Sequence, residues 1–217
     1  MKHVIQDSGG SRSFPSPHQF LENASTRGDV LIFIGEAAGR HLDDVSPAEW
    51  TAVVVELTTE CLGVYTGESR GEEGSNVLGF ARFRLGDAEP TDLVELVRQP
   101  RSSEAAIAAA KEVFETAGFS VAVCKDFAGR ILDRLVRPFF NEALRRLDED
   151  LATADDLDLT VRLGLGHPEG PIERLERTGL DHHFDVSQAL FEVYGERAYA
   201  PARRARVAKQ RKLAGKT

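Results

Sequence analysis

Two continuous apolar runs limit the folds open to this chain more than any other feature. They extend over Asp29–Gly35 and Ala52–Leu57, and only Asp29 and Glu56 carry charge. Apolar runs without alternation are typical of strands buried on both faces, as in a parallel sheet that helices cover on each side. The first half of the chain is therefore predicted to be an α/β domain.

Weaker signals supply the other elements of this domain. A Gly- and Glu-rich stretch from Gly67 to Gly74 predicts a loop. The remaining predicted strands are Val4–Ile5, Val77–Phe83, Leu93–Arg98 and Ser120–Cys124, and the predicted helices are His18–Asn23, a short one opened by the capping sequence Ser46-Pro47-Ala48-Glu49, and Ser103–Phe114.

Helical periodicity dominates the second half. Apolar residues recur every three or four positions from Gly129 to Leu147, which predicts one long amphipathic helix. A capping sequence at Thr153–Asp156, a stiff turn at Gly164–Pro171 and helices over Ile172–Thr178 and Leu180–Tyr194 are expected to follow. We therefore predict an α/β domain over residues 1–125 and an all-α domain over residues 126–217.

Composition excludes several classes of protein. The chain has 217 residues and a formal net charge of −8, without the long apolar run of a membrane helix or the apolar core of a secretory signal. We therefore expect a cytoplasmic protein without a membrane partner. Cys61 and Cys124 lack zinc-ligand or disulfide spacing, so we expect buried free thiols and no metal.

The last 15 residues differ in charge from the rest. Residues 203–217 contain seven basic side chains and no acidic one, so residues 1–202 carry −8 − 7 = −15. No aromatic residues interleave with the basic ones, so a solvated helix face is expected and nucleic-acid binding is not. The phosphates of coenzyme A or an acidic partner surface are alternatives.

The second half resembles a known family. Lys125-Asp-Phe-Ala-Gly-Arg-Ile-Leu-Asp-Arg-Leu-Val-Arg-Pro-Phe-Phe-Asn-Glu-Ala143, Ala154-Asp-Asp-Leu-Asp158 and Gly164-Leu-Gly-His-Pro-Glu-Gly-Pro171 are similar to the C-terminal domain of the 3-hydroxyacyl-CoA dehydrogenases. The similarity continues backwards through Leu93–Arg98 and, more weakly, Asp29–Glu36. It implies a Rossmann-like domain that binds NAD, a helical dimerisation domain of the 6-phosphogluconate dehydrogenase C-terminal type, and a role in fatty-acid metabolism that oxidises 3-hydroxyacyl-CoA.

Dimerisation has a second source of support in the sequence. Large apolar side chains are more numerous in the helical half than short helices are expected to bury internally. We predict a homodimer interface that contains Phe139, Phe140, Phe184, Phe191 and Tyr194.

The cofactor motif of the family is absent. A dinucleotide-binding domain begins with a strand, a GxGxxG loop and a helix. The nearest sequence is Asp7-Ser-Gly-Gly10, which we interpret as a flexible turn, and the 28 residues before Asp29 fall short of the ~30 of one βαβ unit. We expect a truncated cofactor domain, and we expect the end at Leu213–Thr217 to interrupt a family motif.

The catalytic positions of the family also differ. In the resemblance, Ala81 occupies the place of the basic histidine and Glu95 that of its partner carboxylate. Thr59 matches a site serine, whereas Leu57 replaces an asparagine. Without a histidine to orient, Glu95 is expected either to pair with Arg82, Arg98 or water, or to keep a role in the site.

Asp133 stands where the family has a substrate-binding asparagine. A carboxylate would repel a developing oxyanion, so Asp133 is expected to pair with Arg130 or Arg137. Of the other histidines, His167 is expected to be structural, and His182 and His183 to be solvated or to cap a helix.

Two functions remain open. An altered oxidoreductase would act on acyl-CoA through Glu95 and Thr59. A non-catalytic homologue would dimerise, bind acyl-CoA or dock a full-length dehydrogenase. The losses at Ala81 and Asp133 and in the glycine-rich loop favour impaired or lost NAD-dependent oxidation.

Overall fold

A six-stranded sheet organises the first part of the molecule. The computed structural model describes residues 1–68 and 75–216, so most of the predicted loop over residues 67–74 lies outside the described residues. The strands lie side by side in chain order. All neighbouring strands are parallel except β4 and β5. This antiparallel pair is the one departure from the predicted parallel sheet. They are β1 (His3–Asp7), β2 (Val30–Ile34), β3 (Ala52–Glu56), β4 (Val77–Arg82), β5 (Leu93–Arg98) and β6 (Ser120–Lys125).

Both faces of the central strands are buried, as the apolar runs predict. Every residue of β2 and β3 is buried. Because successive side chains point to opposite faces, Val30, Ile32 and Ile34 join one hydrophobic cluster and Leu31 and Phe33 join another. Burial of these strands on both faces fixes their position at the centre of the unit.

The helices around the sheet are short except for one. They are α1 (Gln19–Glu22), α2 (Gly63–Thr66) and α3 (Glu104–Thr116), with 3-10 helices at Ala38–Asp44 and Pro47–Glu49. The helix predicted at Ser46 is only the second of these 3-10 turns, and the Ser46 side chain makes no cap hydrogen bond. Trp50 already has an extended backbone, so the turn ends too early for a capping box.

The second part of the molecule is helical, as predicted. Helix α4 begins three residues later than expected, because Gly129 and Arg130 both have positive φ angles, of 73° and 50°. Thr153 caps the next helix through a hydrogen bond from the Asp156 amide at 3.1 Å. The helices are α4 (Leu132–Asp148), α5 (Ala154–Leu165), α6 (Pro171–Thr178), α7 (Leu180–Tyr194) and α8 (Arg203–Leu213).

The chain divides into two compact units after Ile131, six residues beyond the predicted boundary. Residues 1–84 and 89–131 form the first unit, and residues 85–88 and 132–217 form the second. Residues 85–88 belong to the second unit because Gly86 packs closely against Thr178. A Cβ atom at Gly86 would lie 1.6 Å from the carbonyl oxygen of Thr178. Across the described part of the chain, no helix combines the length and apolar character needed to cross a membrane.

Candidate functional site

Strands β4 and β5 bring two of the predicted site positions together. Ala81 and Glu95 are direct partners in the antiparallel pair, and they are 5% and 2% exposed. The position that the resemblance assigns to a basic histidine is thus a buried methyl group beside a buried carboxylate. A methyl group can neither accept nor donate a proton.

The Glu95 carboxylate is held by the segment that leads into α4. Its Oε1 accepts a hydrogen bond from the Ile131 amide at 2.8 Å, and its Oε2 lies 3.8 Å from Nε of Arg130. Both side chains of this ion pair are 3% exposed. Of the predicted partners, Arg82 pairs with Asp92 and Arg98 pairs with Glu104.

Arg130 joins this carboxylate to the loop after β3. Its Nη2 donates a hydrogen bond to the carbonyl oxygen of Thr58, and the Gly129 amide donates to that of Thr59 at 3.0 Å. Among the described residues, its Nε and Nη1 are buried without a hydrogen-bond acceptor. Arg130 therefore acts as an internal cross-link, and Thr59 takes part through its backbone.

Leu57 packs where the resemblance places an asparagine. Its side chain is 2% exposed and lies against Gly79, where a Cβ atom would come within 2.5 Å of Leu57 Cδ1. Gly79 thus leaves room for a leucine, and this position supplies apolar packing instead of an amide.

Cys124 lies near the same charges. Burial, followed by the negative charge of Glu95, raises the pKa of its thiol to about 11. Cys61 and Cys124 are free thiols, as predicted, but both are half-buried and not buried. A thiol with so high a pKa is a poor nucleophile at neutral pH.

In the helical unit, Asp133 begins a buried polar network. Its Oδ1 accepts a hydrogen bond from Nε of Arg137 at 2.8 Å, which confirms one of its two predicted partners. Nη1 of Arg137 lies 3.3 Å from Nδ1 of His183, whose Nε2 lies 3.0 Å from Oδ1 of Asn141. Asp133 therefore forms an ion pair with Arg137, one helical turn later in α4 and in the same unit.

The prediction for His183 was wrong. This residue is 1% exposed, and burial, together with the positive charge of Arg137, lowers its pKa to about 3. His182 is part-exposed and lies 3.2 Å from Asp87. His167 is exposed and contacts the ring of Phe139, which accords with a structural role.

The segment after β1 forms a turn packed against the end of β2. Ser8 Oγ donates a hydrogen bond to the Ile34 carbonyl and accepts one from the Ala37 amide, at 3.0 and 3.1 Å. A Cβ atom at Gly10 would lie 2.8 Å from Cγ of Glu36. Gly10, in the turn that was predicted to be flexible, therefore permits close packing between two loops.

Glu56 lies at the end of β3, beside the turn that follows β2. Its two oxygens accept hydrogen bonds from the amides of Ser13 and Gly35, at 2.6 and 2.7 Å, and the residue is 4% exposed. No helix follows β1 directly, because α1 begins only at Gln19 and has four residues. These loops therefore do not offer a helix N-terminus to the pyrophosphate of a dinucleotide.

Sequence reasoning did not identify Arg130, Glu56 or His183 as structural centres. The charged Glu56 at the end of an otherwise apolar run was the available signal for one of them, because a buried carboxylate requires hydrogen-bond donors. Arg130 and His183 carried no such signal, since their partners are distant in the chain.

Comparisons with known proteins support the resemblance. The model of the 3-hydroxyacyl-CoA dehydrogenase C-terminal domain matches residues 129–217. A 3-hydroxybutyryl-CoA dehydrogenase from Bradyrhizobium diazoefficiens is 36% identical over 110 residues, which are 51% of this chain and 38% of that protein. One from Mycobacterium tuberculosis is 32% identical over 149 residues, which are 68% of this chain and 51% of that protein. The chain thus spans about half or less of these relatives.

Solved structures agree with the fold. The crystal structure of M. tuberculosis FadB2 aligns with a TM-score of 0.68 and 24% identity, covering 88% of this chain and 67% of that one. The (S)-3-hydroxybutyryl-CoA dehydrogenase from Ralstonia eutropha aligns with a TM-score of 0.70 and 23% identity, covering 89% and 70%. The predicted fold class, a Rossmann-like sheet followed by a helical domain, is confirmed.

Proposed function

We propose that this chain, a relative of the 3-hydroxyacyl-CoA dehydrogenases whose residues 129–217 match the C-terminal domain of that family, is a dehydrogenase-like protein that has lost efficient NAD-dependent oxidation. One observation carries the proposal. Glu95 faces Ala81 where the resemblance places a carboxylate–histidine pair, and its carboxylate is held by Arg130 and Ile131.

The missing base affects the chemical step directly. Oxidation of a hydroxyl group by hydride transfer requires a group that accepts the proton, and loss of a general base typically lowers the rate by ~10²–10⁴-fold. Ala81 cannot take this role, and Glu95 is already engaged in an ion pair. An altered oxidoreductase that used Glu95 and Thr59 would have to break contacts that hold the loops together.

The other family positions point the same way. A carboxylate at Asp133 would repel an oxyanion, and it is committed to Arg137. The loops after β1 and β2 do not fit NAD in the manner of the family, because Glu56 takes the amides of Ser13 and Gly35 and no helix follows β1 directly. NAD binding is therefore not part of the proposed function.

A binding role accounts for the retained scaffold. The proposed activity is that of a dimeric homologue in acyl-CoA metabolism that binds acyl-CoA or docks a full-length dehydrogenase. We expect it in the cytoplasm, which cell fractionation would test.

The dimer interface requires one correction. Phe140 is 3% exposed and packs against His183 inside the helical unit, so it is unavailable to a partner. Leu135, Leu163 and Leu165 are instead 64%, 79% and 66% exposed. These leucines are the better candidates for a homodimer interface.

The proposal is tested by NADH oxidation with acetoacetyl-CoA, beside the M. tuberculosis relative as a positive control. Titration of each ligand by calorimetry separates binding from turnover. We expect acetoacetyl-CoA to bind without measurable NADH oxidation. Turnover within about tenfold of the control would contradict the loss of the base, and the absence of acetoacetyl-CoA binding would leave only the docking role.

A further inference from the structure

Helix α8 has few buried contacts with the rest of the helical unit. Of its 11 residues, all of them described, Ala205 is the only buried one. The guanidinium carbon of Arg206 adds a cation–π contact and lies 5.5 Å from the centre of the Phe184 ring. By contrast, four of the eight residues of α6 and four residues of α7 are buried. Burial of apolar surface therefore holds α8 less firmly than it holds these two helices.

One carboxylate holds the first turn of α8. Oδ1 of Asp148, the last residue of α4, lies 2.8 Å from Nη2 of Arg203 and 2.8 Å from Nε of Arg204. Hydrogen bonding by Arg203, and after it by Arg204, lowers the pKa of this carboxyl below its usual value. Asp148 is therefore ionised at neutral pH and joins α8 to α4 through two ion pairs.

The later turns of α8 are paired with α7. Nζ of Lys209 lies 2.7 Å from Oδ2 of Asp185, and Lys212 pairs with Asp181. Asp87 and Asp185 also attract Lys212. Four basic side chains of the predicted solvated face are thus paired with carboxylates of their own unit.

These ion pairs are open to solvent on the side of α8. The side chains of Arg203, Arg204 and Lys212 are 67%, 42% and 59% exposed. Exposed ion pairs are individually weak, and dissolved salt screens them. The screening length is about 10 Å at 0.1 M salt but only about 3 Å at 1 M, which is close to the separation of the paired atoms. The attachment of α8 should therefore depend on ionic strength.

The segment just before α8 is attached in a different way. Asn141 is 0% exposed, and its Nδ2 donates hydrogen bonds to the carbonyl oxygens of Ala198 and Tyr199, at 3.1 and 3.3 Å. Its Oδ1 accepts a hydrogen bond from the Ala202 amide at 3.2 Å. Tyr199 and Ala202 are themselves buried. Salt screens buried contacts much less than exposed ones, so the chain should stay fixed as far as Ala202.

We propose that α8 is a salt-sensitive cover of the helical unit, which separates from α4 and α7 at Ala202 when its ion pairs are weakened. In the closed form, α8 is one wall of a groove whose lining also contains Leu144 and Ile172, which are 1% and 2% exposed. Release of α8 removes this wall and opens the apolar lining to water. The inference does not depend on the proposed function, because all the residues that carry it belong to the helical unit.

Amide hydrogen exchange of the 217-residue protein, followed by mass spectrometry, tests the proposal directly. Raising sodium chloride from about 20 mM to about 0.5 M should accelerate exchange in α8 about tenfold. Exchange in α6 should change by less than about twofold, because buried Ile172 and Leu175 anchor that helix. Exchange in α8 that does not respond to salt would overturn the proposal. Equal acceleration of α4, α6 and α8 would also overturn it, because the unit would then open as a whole.

A matched pair of variants separates the ion pairs of α8 from those elsewhere. Asp148→Asn removes two arginine pairs of α8 and, at low salt, should accelerate its exchange about fivefold. Glu142→Gln is the control, because Glu142 also pairs with two arginines, Arg145 and Arg146, but both lie on α4. This control should change exchange in α8 by less than about twofold. Equal effects of the two variants would contradict the proposal.

A charge exchange between α7 and α8 gives a second, independent comparison. Asp185→Lys places a like charge beside Lys209 and should accelerate exchange in α8 about tenfold. The double variant Asp185→Lys/Lys209→Asp restores an ion pair of opposite orientation. Its exchange should be slower than that of the single variant but not fully restored, because Asp185 also attracts Lys212. A double variant that exchanges as fast as the single one would mean that the ion pair does not hold α8, and the proposal would fail.

Discussion

Glu95 lies directly opposite Ala81 in the antiparallel pair of β4 and β5, and its carboxylate accepts a hydrogen bond from the Ile131 amide at 2.8 Å. The same carboxylate lies 3.8 Å from Nε of Arg130. The carboxylate at the position that the resemblance assigns to the partner of a histidine thus holds the chain just before α4. These contacts give Glu95 a structural role that needs no histidine.

Restoring the histidine should therefore be insufficient. We expect neither Ala81→His nor the double variant Ala81→His/Arg130→Leu to oxidise NADH with acetoacetyl-CoA, because the loop after β1 does not fit the cofactor. The double variant frees Glu95 from Arg130 and so tests the base separately from the ion pair. NADH fluorescence should show no binding. Turnover of either variant within about a hundredfold of a full-length relative would refute this account of the cofactor loop.

His183 should make the stability of the protein depend on pH. Its folded-state pKa of about 3 lies below the value near 6.5 of an unfolded histidine. The unfolded chain therefore binds the proton first, and the free energy of unfolding should fall as pH drops below about 6.5, by at most about 1.4 kcal/mol per pH unit.

Urea unfolding at pH 7, 6 and 5 measures this effect. His3 and His18 also have lowered pKa values because of burial, so the contribution of His183 is the difference between the wild type and His183→Gln. The variant should be less stable at pH 7 but lose less free energy on acidification. Parallel curves would mean that His183 is not buried in its neutral form.

The glycines of the stiff turn should differ in their tolerance of alanine. A Cβ atom at Gly170 would lie 2.3 Å from Cβ of Asp158, whose carboxylate accepts the amides of Ile172 and Glu173 at the start of α6. Gly170→Ala should therefore lower the free energy of unfolding by about 2–4 kcal/mol. At Gly164 nothing lies within 4 Å, so Gly164→Ala should stabilise α5 by up to about 1 kcal/mol. Equal melting temperatures of the two variants would contradict the close contact at Gly170.

Elements encoded by local pattern were predictable from the sequence. The uninterrupted apolar run over Asp29–Gly35 identified β2, and helical spacing predicted Arg137 as one of two possible partners of Asp133. In both cases the backbone geometry decides which side chains share a face. Side chains point in the same direction every two residues in a strand and every 3.6 residues in a helix.

Contacts between distant parts of the chain were not predictable in this way. Glu95 and Arg130 are 35 positions apart, and their pairing depends on the left-handed turn at Gly129 and Arg130 that directs the chain into α4. The antiparallel placement of β4 against β5 depends on how the loop between them turns, which the apolar pattern of each strand does not encode.

The most direct test of the account is the free energy of unfolding of Glu95→Ala, measured by urea denaturation at pH 7. Removing one partner of a buried ion pair leaves the guanidinium of Arg130 uncompensated, so we expect a loss of about 3 kcal/mol. Glu104→Ala removes the exposed partner of Arg98 and, as the matched control, should cost less than about 1 kcal/mol. An unchanged or increased stability of Glu95→Ala would contradict the account and indicate a glutamate kept for chemistry, since functional groups often lower stability.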